Sequence, residues 1–379
     1  MVKSKYLGDI IVYLPGGALK RNDVKDTGLY PVMNGGIDYS GYYDEYNYDE
    51  NVLTISHWGS SASHVHRHFK KFWANNACWI FACKDNSEYN LFFLYYYLKN
   101  MERCMMQTMC FGGATPNLSR ALFERIEVPA IPLEEQEKIV EKLDTFHKLI
   151  RKLDEEKSLR VLQYEHCLDT IFGSNIMEAE NFVKADSIEL KSLLDLGTLT
   201  RGKRFVREDF VESGVPCIHY GDMYTYYGLF ANQAKTFITE EKSKKMRFAH
   251  KSDVVIVGAG ENDWDIGVGL AWLGDEAAAV HDACYILKHQ QNPKYISYFL
   301  RSNNYHLQIR GSVTSGKICS ISARDLGKAK ILIPKDIKEQ NAVVEKLDAF
   351  TNLISKLEEE RDLRQKQYEY YREKLLTFE

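Results

Sequence analysis

Three stretches of this 379-residue chain carry residue types at spacings that could do chemistry. The first, Val254-Val255-Ile256-Val257-Gly258-Ala259-Gly260, reads as a strand feeding a glycine loop, the arrangement that seats a dinucleotide's pyrophosphate at a helix N-terminus. It is followed by Glu261-Asn262-Asp263-Trp264-Asp265, which lacks the third glycine and sets carboxylates where phosphates would lie. The second, Gly311-Ser312-Val313-Thr314-Ser315-Gly316-Lys317, has the spacing of a phosphate-binding loop. There Ile318 stands where a magnesium-binding hydroxyl is required, and no apolar strand precedes the loop. Its glycines and Lys317 can still touch a nucleic-acid backbone. The third, His64-Val65-His66-Arg67-His68, would place three imidazoles on one face of a strand, where alternate residues splay and do not converge on a metal. With Arg67, Lys70 and Lys71 adjacent, it reads either as a phosphate-contacting surface or as a solvated strand face. The eight prolines are all isolated, so no Asn-Pro-Pro-Tyr motif of the kind that holds a flipped adenine is present, and no nucleophile has a base nearby. No catalytic residue and no metal site is expected.

What remains is local basic and polar density in two segments. The first has Gly16-Gly17-Ala18-Leu19-Lys20-Arg21 and His57-Trp58-Gly59-Ser60-Ser61; the second has Thr200-Arg201-Gly202-Lys203-Arg204, Tyr220-Gly221-Asp222, and Lys242, Lys244, Lys245 and Arg247. Arg and Lys contact phosphates and read guanine, while amides, hydroxyls and carboxylates read other base edges. The candidate DNA-contacting residues are therefore Lys20, Arg21, His57, Ser60, Ser61, His64 and Arg67 in the first segment. In the second they are Arg201, Lys203, Arg204, Tyr220, Asp222, Lys244, Asn262 and Lys317. Any one alone reads as ordinary surface; recurrence in both segments is what points to DNA.

The elements that must position these residues are repeated. Residues 141–165 and 345–369 align at a constant offset of 204 with 16 identities in 25 positions. A period of that length is a duplicated half, since solenoid units run roughly 20–50 residues. Each copy is a long helix: Ile139, Leu143, Phe146, Ile150 and Leu153 are spaced 4, 3, 4, 3, and Val343, Leu347, Phe350, Ile354 and Leu357 repeat the pattern. Pro132 and Pro334 stand just ahead of each helix, and Gly173-Ser174-Asn175 stops the first. The pairing residues are expected to be Leu143, Phe146, Ile150 and Leu153 with Leu347, Phe350, Ile354 and Leu357. Both seams turn basic further on, at Lys157 and Arg160 and at Arg361 and Arg364, with Glu155, Glu156, Glu359 and Glu360 close by as counter-charges. A parallel pair would stack cation on cation, so an antiparallel pair is expected.

Between the helices, 1–128 reads as a mixed α/β or β-rich domain, with strands near 10–14 and 52–55, a buried helix at 90–101, and a loop at 111–117. Residues 178–330 repeat its plan with divergent loops: Ala77-Cys78-Trp79-Ile80-Phe81 corresponds to Ala283-Cys284-Tyr285-Ile286-Leu287. The domain reading is 1–128, helical 129–177, 178–330 and helical 331–379. Net charge is −4 overall, yet Lys+Arg against Asp+Glu count 13 to 13, 7 to 10, 20 to 19 and 9 to 11 over those four segments. The acid excess lies mainly in the helices, so it does not oppose DNA binding by the domains. The eight cysteines form no C-x-x-C pair, which favours reduced thiols over metal ligands. The longest apolar stretch, 91–98, is far short of the ~20 residues that span a bilayer, and a cytoplasmic protein with no membrane partner is expected.

Taken whole, the chain resembles the specificity subunit of type I restriction-modification systems. The resemblance rests on Pro132 to Gln136 entering a long helix, on Pro334 to Gln340 doing so with a two-residue insertion, and on Gly16-Gly17 and Gly113-Ala114-Thr115 with Leu118-Ser119. In the second domain the last element survives only as Gly311-Ser312-Val313-Thr314 with Ile321-Ser322. The resemblance implies an α+β, pseudo-two-fold chain in which two α/β target-recognition domains alternate with two long helices paired as an antiparallel coiled coil. Each domain would read half of a bipartite, asymmetric site in double-stranded DNA. The helices would set the spacer and dock two methyltransferase subunits, joined in restricting systems by two ATP-driven restriction subunits. S-adenosylmethionine, ATP and Mg would be bound by those partners and not by this chain. One heptad inserted within 141–165 is then expected to lengthen the tolerated spacer and leave the half-sites alone. The competing readings are a stand-alone S-adenosylmethionine-dependent methyltransferase or NTPase, and a coiled-coil scaffold with no DNA function.

Overall fold

In the computed structural model, which describes residues 3–173, 175, 177–179, 188–314 and 316–378, the chain forms two units. One comprises Met1–Asp154 with Glu358–Glu379, the other Glu155–Leu357.

The first unit is built on an antiparallel sheet in the order Ile11–Leu14, Cys78–Cys83, Leu53–Ser56, Val65–Arg67. All four residues of Leu53–Ser56 are buried, so this central strand is covered on both faces. A smaller sheet pairs Tyr30–Met33 with Tyr42–Tyr43 and, in parallel, with Trp73–Ala74. The helix expected at 90–101 runs Leu91–Thr108; Asn90 caps it through bonds from the Phe92 and Phe93 amides, and Phe93, Leu94, Tyr96 and Leu98 are buried. Cys110–Phe111 and Asn117–Leu118 pair around the expected loop, and Ser119 caps the short helix Arg120–Glu124.

The second unit repeats this plan. Gly197–Arg201, Cys284–His289, Val254–Val257 and Gly269–Trp272 take the same antiparallel order, with Phe230–Ala231 added at the edge. Val215–Ile218 and Ala278–Val280 run parallel, as Tyr30–Met33 and Trp73–Ala74 do. The aromatic helix is here broken into Pro293–Phe299 and Asn303–Arg310, because Ser302 leaves the helix to cap the second piece through the Tyr305 amide.

The long helices are Leu133–Phe172 and Ile337–Leu376. The second starts later than Pro334 suggested: that residue ends the strand Lys330–Pro334, and Asp336 opens the helix, accepting from the Lys338 amide at 2.9 Å. The first ends at Phe172 as expected, although Ser174 of the stop signal lies outside the described residues. In the first unit Phe146 stacks on Tyr371 (5.4 Å) and His147 meets Tyr368 (4.5 Å), while Arg361 Nε lies 3.3 Å from Asp154. In the second unit Cys167, Leu168, Ile171 and Phe172 share a core with Val343, Val344 and Leu347. The start of each helix thus packs with the end of the other, and the pair is antiparallel. Leu143, Ile150 and Leu347 are buried; Phe146, Leu153, Phe350, Ile354 and Leu357 are half-buried. Arg160 and Arg364 pair one turn back with Glu156 (2.7 Å) and Glu360 (2.6 Å).

The repeated Gln and Asp are joints between helix and domain. Gln136 is fully buried: its Oε1 accepts from the Asn90 amide, and its Nε2 donates to the Glu88 and Ile131 carbonyls, each at 2.9 Å. Gln340 does the same with the Asn292 amide (2.9 Å) and the Pro334 carbonyl (2.8 Å). Asp144 accepts from Tyr96 Oη and the Arg67 guanidinium, and Asp348 from Tyr298 Oη (2.7 Å) and Lys294 Nζ (2.7 Å). The helix signature therefore holds each domain to its helix at two points about two turns apart.

Candidate nucleic-acid interface

In the first unit, Ile11–Leu14 and Leu53–Ser56 both run antiparallel to Cys78–Cys83. The segments leaving the first two strands and entering the third therefore gather at one end: Gly16-Gly17, 57–61 and 75–77. Asn34-Gly35-Gly36 joins them through Ser56 Oγ, which donates to the Gly36 carbonyl (3.2 Å), and 112–117 through the Gly59 amide on the Pro116 carbonyl (2.8 Å). Gly17 is required by close approach. Its amide donates to Ala74 O at 2.7 Å, and a Cβ there would lie 2.6 Å from the Trp73 ring. Asn75 ties the group together, accepting from the Leu19 amide (2.9 Å) and Trp73 Nε1 (3.1 Å) and donating to Asn34 Oδ1 (3.1 Å). Leu19 so fixed leads into the exposed turn that carries Lys20 and Arg21.

The second unit builds the same end from different residues. Gly202 and Lys203 donate to the Cys284 and Val280 carbonyls at 2.9 Å, and a Cβ on Gly202 would meet the His281 carbonyl at 2.2 Å. Arg201, Lys203 and Arg204 are left exposed; Arg201 Nε bonds the Asp282 carbonyl (2.6 Å) and Arg247 bonds the Arg201 carbonyl (2.5 Å). His219 and His281 meet at 4.7 Å, with Tyr220 over His281 at 5.3 Å. Burial pushes the His219 imidazole down to about 4. Exposed Asn262 and Lys317 stand on the two loops beside them, where Ile321 N bonds Gly258 O (2.9 Å) and Thr314 pairs with Ser320. A cleft of about 380 Å³ opens among Arg201, Ala259, Asp282, Thr314 and Ser322.

Other candidates are placed elsewhere. Arg67 faces the long helix, forked onto Asp144 and stacked on Phe92 at 3.7 Å, so it leaves the proposed contact set. Asp222 is buried, 2.9 Å from Lys235 Nζ, and presents no edge to a base. The histidine strand is neither a phosphate surface nor a solvated face. His66 bonds the Gly36 carbonyl (2.9 Å), and His68 lies between Tyr39 Oη (3.0 Å) and Thr54 Oγ1 (2.9 Å) and stacks on Phe72 at 3.6 Å. His64 is half-buried against Lys99 and Glu102. His57 stacks on Trp79 at 5.0 Å, and burial lowers its pKa. Ser60 and Lys244 are exposed and Ser61 half-buried.

Burial pushes both His66 and His68 down to about 3. Each is neutral in the fold and takes up its proton near 6.5 when unfolded, so stability falls as pH drops below about 6.5 and continues falling toward 3. At about 1.4 kcal/mol per pH unit per histidine, the first unit should be on the order of 4 kcal/mol less stable at pH 5 than at pH 7. Urea unfolding at the two pH values measures this; equal midpoints would contradict the burial argument, and His68→Gln should flatten the dependence by about one proton.

The enzymatic look-alikes resolve as structure. Val254–Val257 feeds a single turn at Asp263–Asp265 and no helix, and Gly258 is small because a Cβ would lie 2.3 Å from the Tyr285 ring. The 311–317 loop follows a helix and precedes a strand, the reverse of a phosphate-binding loop; its Ser315 lies outside the described residues. Among the described residues no three His, Cys, Asp or Glu side chains are grouped to hold a metal, and no helix is long and apolar enough to cross a membrane. Asn75, Asp144 and Asp348 had no signal in the sequence beyond the last two repeating at the 204 offset.

Residues 2–162 and 186–364 match the family model described as the type I restriction modification DNA specificity domain. The chain belongs to the type I restriction-modification specificity subunits. Members of this family are non-catalytic DNA-recognition subunits. A Haemophilus influenzae protein named as a type I restriction enzyme specificity subunit is 27% identical over 91% of this chain and 89% of its own. The EcoR124I/EcoR124II specificity subunit of Escherichia coli is 29% identical over 64% of this chain and 59% of its own. The fold matches the crystal structure of a specificity subunit from M. genitalium with a TM-score of 0.66 at 17% identity, covering 100% of this chain and 96% of that one. A second likeness, TM-score 0.58 at 13% identity over 99% and 97% of the two chains, is to a structure describing complex assembly and conformational transition of a type I system.

Proposed function

We propose that the loop end of each unit reads one half of a bipartite, asymmetric site in double-stranded DNA, with 1–128 and 178–330 as the recognition domains. The observation that carries this reading is the doubled construction. In both units a glycine too tight for a Cβ pins the loop after the first sheet strand and leaves cations outside it: Lys20 and Arg21 in one, Arg201, Lys203 and Arg204 in the other. Backbone contacts of this kind supply affinity and position neighbouring side chains to read bases. Asn262, Tyr220 and Lys317 in the second unit, and His57, Ser60 and Ser61 in the first, are the side chains proposed for that role.

The helix pair then sets the gap between half-sites and docks two methyltransferase subunits, with two restriction subunits in a system that cleaves. Exposed Leu149 and Leu353, and Leu159 and Leu363, recur at the 204-residue offset and offer each helix the same apolar contacts. S-adenosylmethionine, ATP and Mg belong to those partners, in the cytoplasm where the chromosome is methylated. Methylome sequencing of cells carrying the complete system should return two short motifs at one fixed separation. A single continuous motif, or methylation unchanged when this chain is deleted, would refute the reading.

A further inference from the structure

Of the five tryptophans, Trp272 is buried and Trp73 and Trp79 are half-buried, whereas Trp58 and Trp264 are 58% and 64% exposed. Exposing an indole forfeits one of the largest apolar burials a side chain can make. Both exposed indoles lie in the connection that leaves the buried central strand, Leu53–Ser56 in one unit and Val254–Val257 in the other. The two connections share no sequence, and each carries its indole at a single 3-10 turn, Gly59–Ser61 and Asp263–Asp265.

Each ring borders an open cleft at the loop end. Trp58 does so with Phe111, 59% exposed, and with Gly112 and Thr115, around a space of about 490 Å³. Trp264 does so with Leu307, Ile309 and Val313 around about 540 Å³, and the Arg310 guanidinium lies 5.6 Å over its ring. The backbone under both is fixed. The Leu118 amide bonds the His57 carbonyl (2.9 Å) and the Gly59 amide the Pro116 carbonyl (2.8 Å); in the other unit Ile266 N bonds Asp263 O (3.2 Å) and Asn262 Nδ2 bonds Asp265 Oδ2 (3.2 Å). Around Trp58, Gly59 and Gly113 take φ of +76° and +59°, and a Cβ on either would meet nothing within 4 Å. The two glycines therefore leave the rim of the cleft beside the indole uncovered, on backbone held by hydrogen bonds.

We infer that Trp58 and Trp264 are stacking residues of the two half-site readers, each indole lying against a nucleobase and opening one base step in its own half-site. This rests on the DNA reading proposed above. A rigid aromatic at the rim of a basic loop cluster suits a base, whose π-face meets an indole whatever its sequence and whose phosphates meet the adjoining cations, Arg310 and Lys317 among them. An apolar anchor for a partner protein is the competing occupant.

The test uses the complete chain assembled with its methyltransferase subunits, on a duplex bearing the bipartite site that methylome sequencing defines. 2-Aminopurine is placed at successive positions of each half-site. Its fluorescence should rise on binding at one step in each half, and W58A should abolish the rise in one half while W264A abolishes it in the other. Each alanine variant should weaken DNA binding about tenfold with an unchanged salt slope, and the Trp→Phe variants should restore most of it. Failure to find a bipartite site would count against the half-site reading and is seen before any fluorescence is measured. With the site in hand, W58A and W264A complexes that bind and report like the original overturn the stacking role. So do variants that bind DNA normally but fail to assemble with methyltransferase subunits, which would make the indoles protein anchors.

Discussion

Replacing Gln136 by leucine should destabilise the first unit by about 3–5 kcal/mol, and Gln340→Leu should destabilise the second by somewhat less. Leucine keeps the volume and removes every polar atom, so the Asn90 amide and the Glu88 and Ile131 carbonyls lose the partners they have at 2.9 Å inside a fully buried site. Each buried group left unpaired costs about 1–3 kcal/mol, partly offset by the easier burial of leucine. Gln340 gives its third bond to a side chain, Gln291 Oε1 at 2.8 Å, which can turn to water when released. That asymmetry is why its loss is expected to be smaller. Domains are stable by about 5–15 kcal/mol in all, so either change removes a large share. Asn90 also caps the helix Leu91–Thr108, so the lesion reaches the element that backs the sheet. Urea unfolding of each variant gives the number; a midpoint shift worth under about 1 kcal/mol for Gln136→Leu would mean that water replaces the amide and that the joint is not what the repeated glutamine is for.

That joint marks the boundary of what could be read from residue order. Helix positions, seam periodicity and the duplication are local or repetitive patterns, and the structure has both helices and their antiparallel pairing. The interface was legible only as loops, because nothing in a strand's sequence states its direction. Once Ile11–Leu14 and Leu53–Ser56 are known to run the same way, Gly16-Gly17 and 57–61 must share an end. Arg67 misled for a related reason: its neighbours in sequence are His66, His68 and Lys70, but its partner, Asp144, is 77 residues on. His66 and His68 alternate as a surface strand would, yet His68 is covered by Tyr39 and Phe72 and His66 is held by the Gly36 carbonyl. The break at Ser302 had no signal in the sequence: two short helices, Pro293–Phe299 and Asn303–Arg310, stand where the first domain has the single helix Leu91–Thr108.

The antiparallel pairing also changes what a spacer experiment must do. In the first unit 133–154 packs with 358–376, and in the second 155–172 packs with 337–357. A heptad inserted after Asp154 alone leaves the opposite helix of the pair seven residues short, so one unit must lose its helix packing or the two added turns must bulge; methylation should collapse. A heptad added after both Asp154 and Leu357 keeps the 4, 3 spacing on each helix and so keeps both seams. It lengthens the pair by about 10.5 Å, or about three base pairs at 3.4 Å each. The duplex turns by roughly 100° over three pairs, so binding should weaken, but the preferred gap should move up by about three pairs with both half-site sequences unchanged. Methylome sequencing of the doubly extended chain reads all of this at once. An unchanged gap would mean that the helices do not set the spacing, and altered half-sites would mean that they take part in reading the bases.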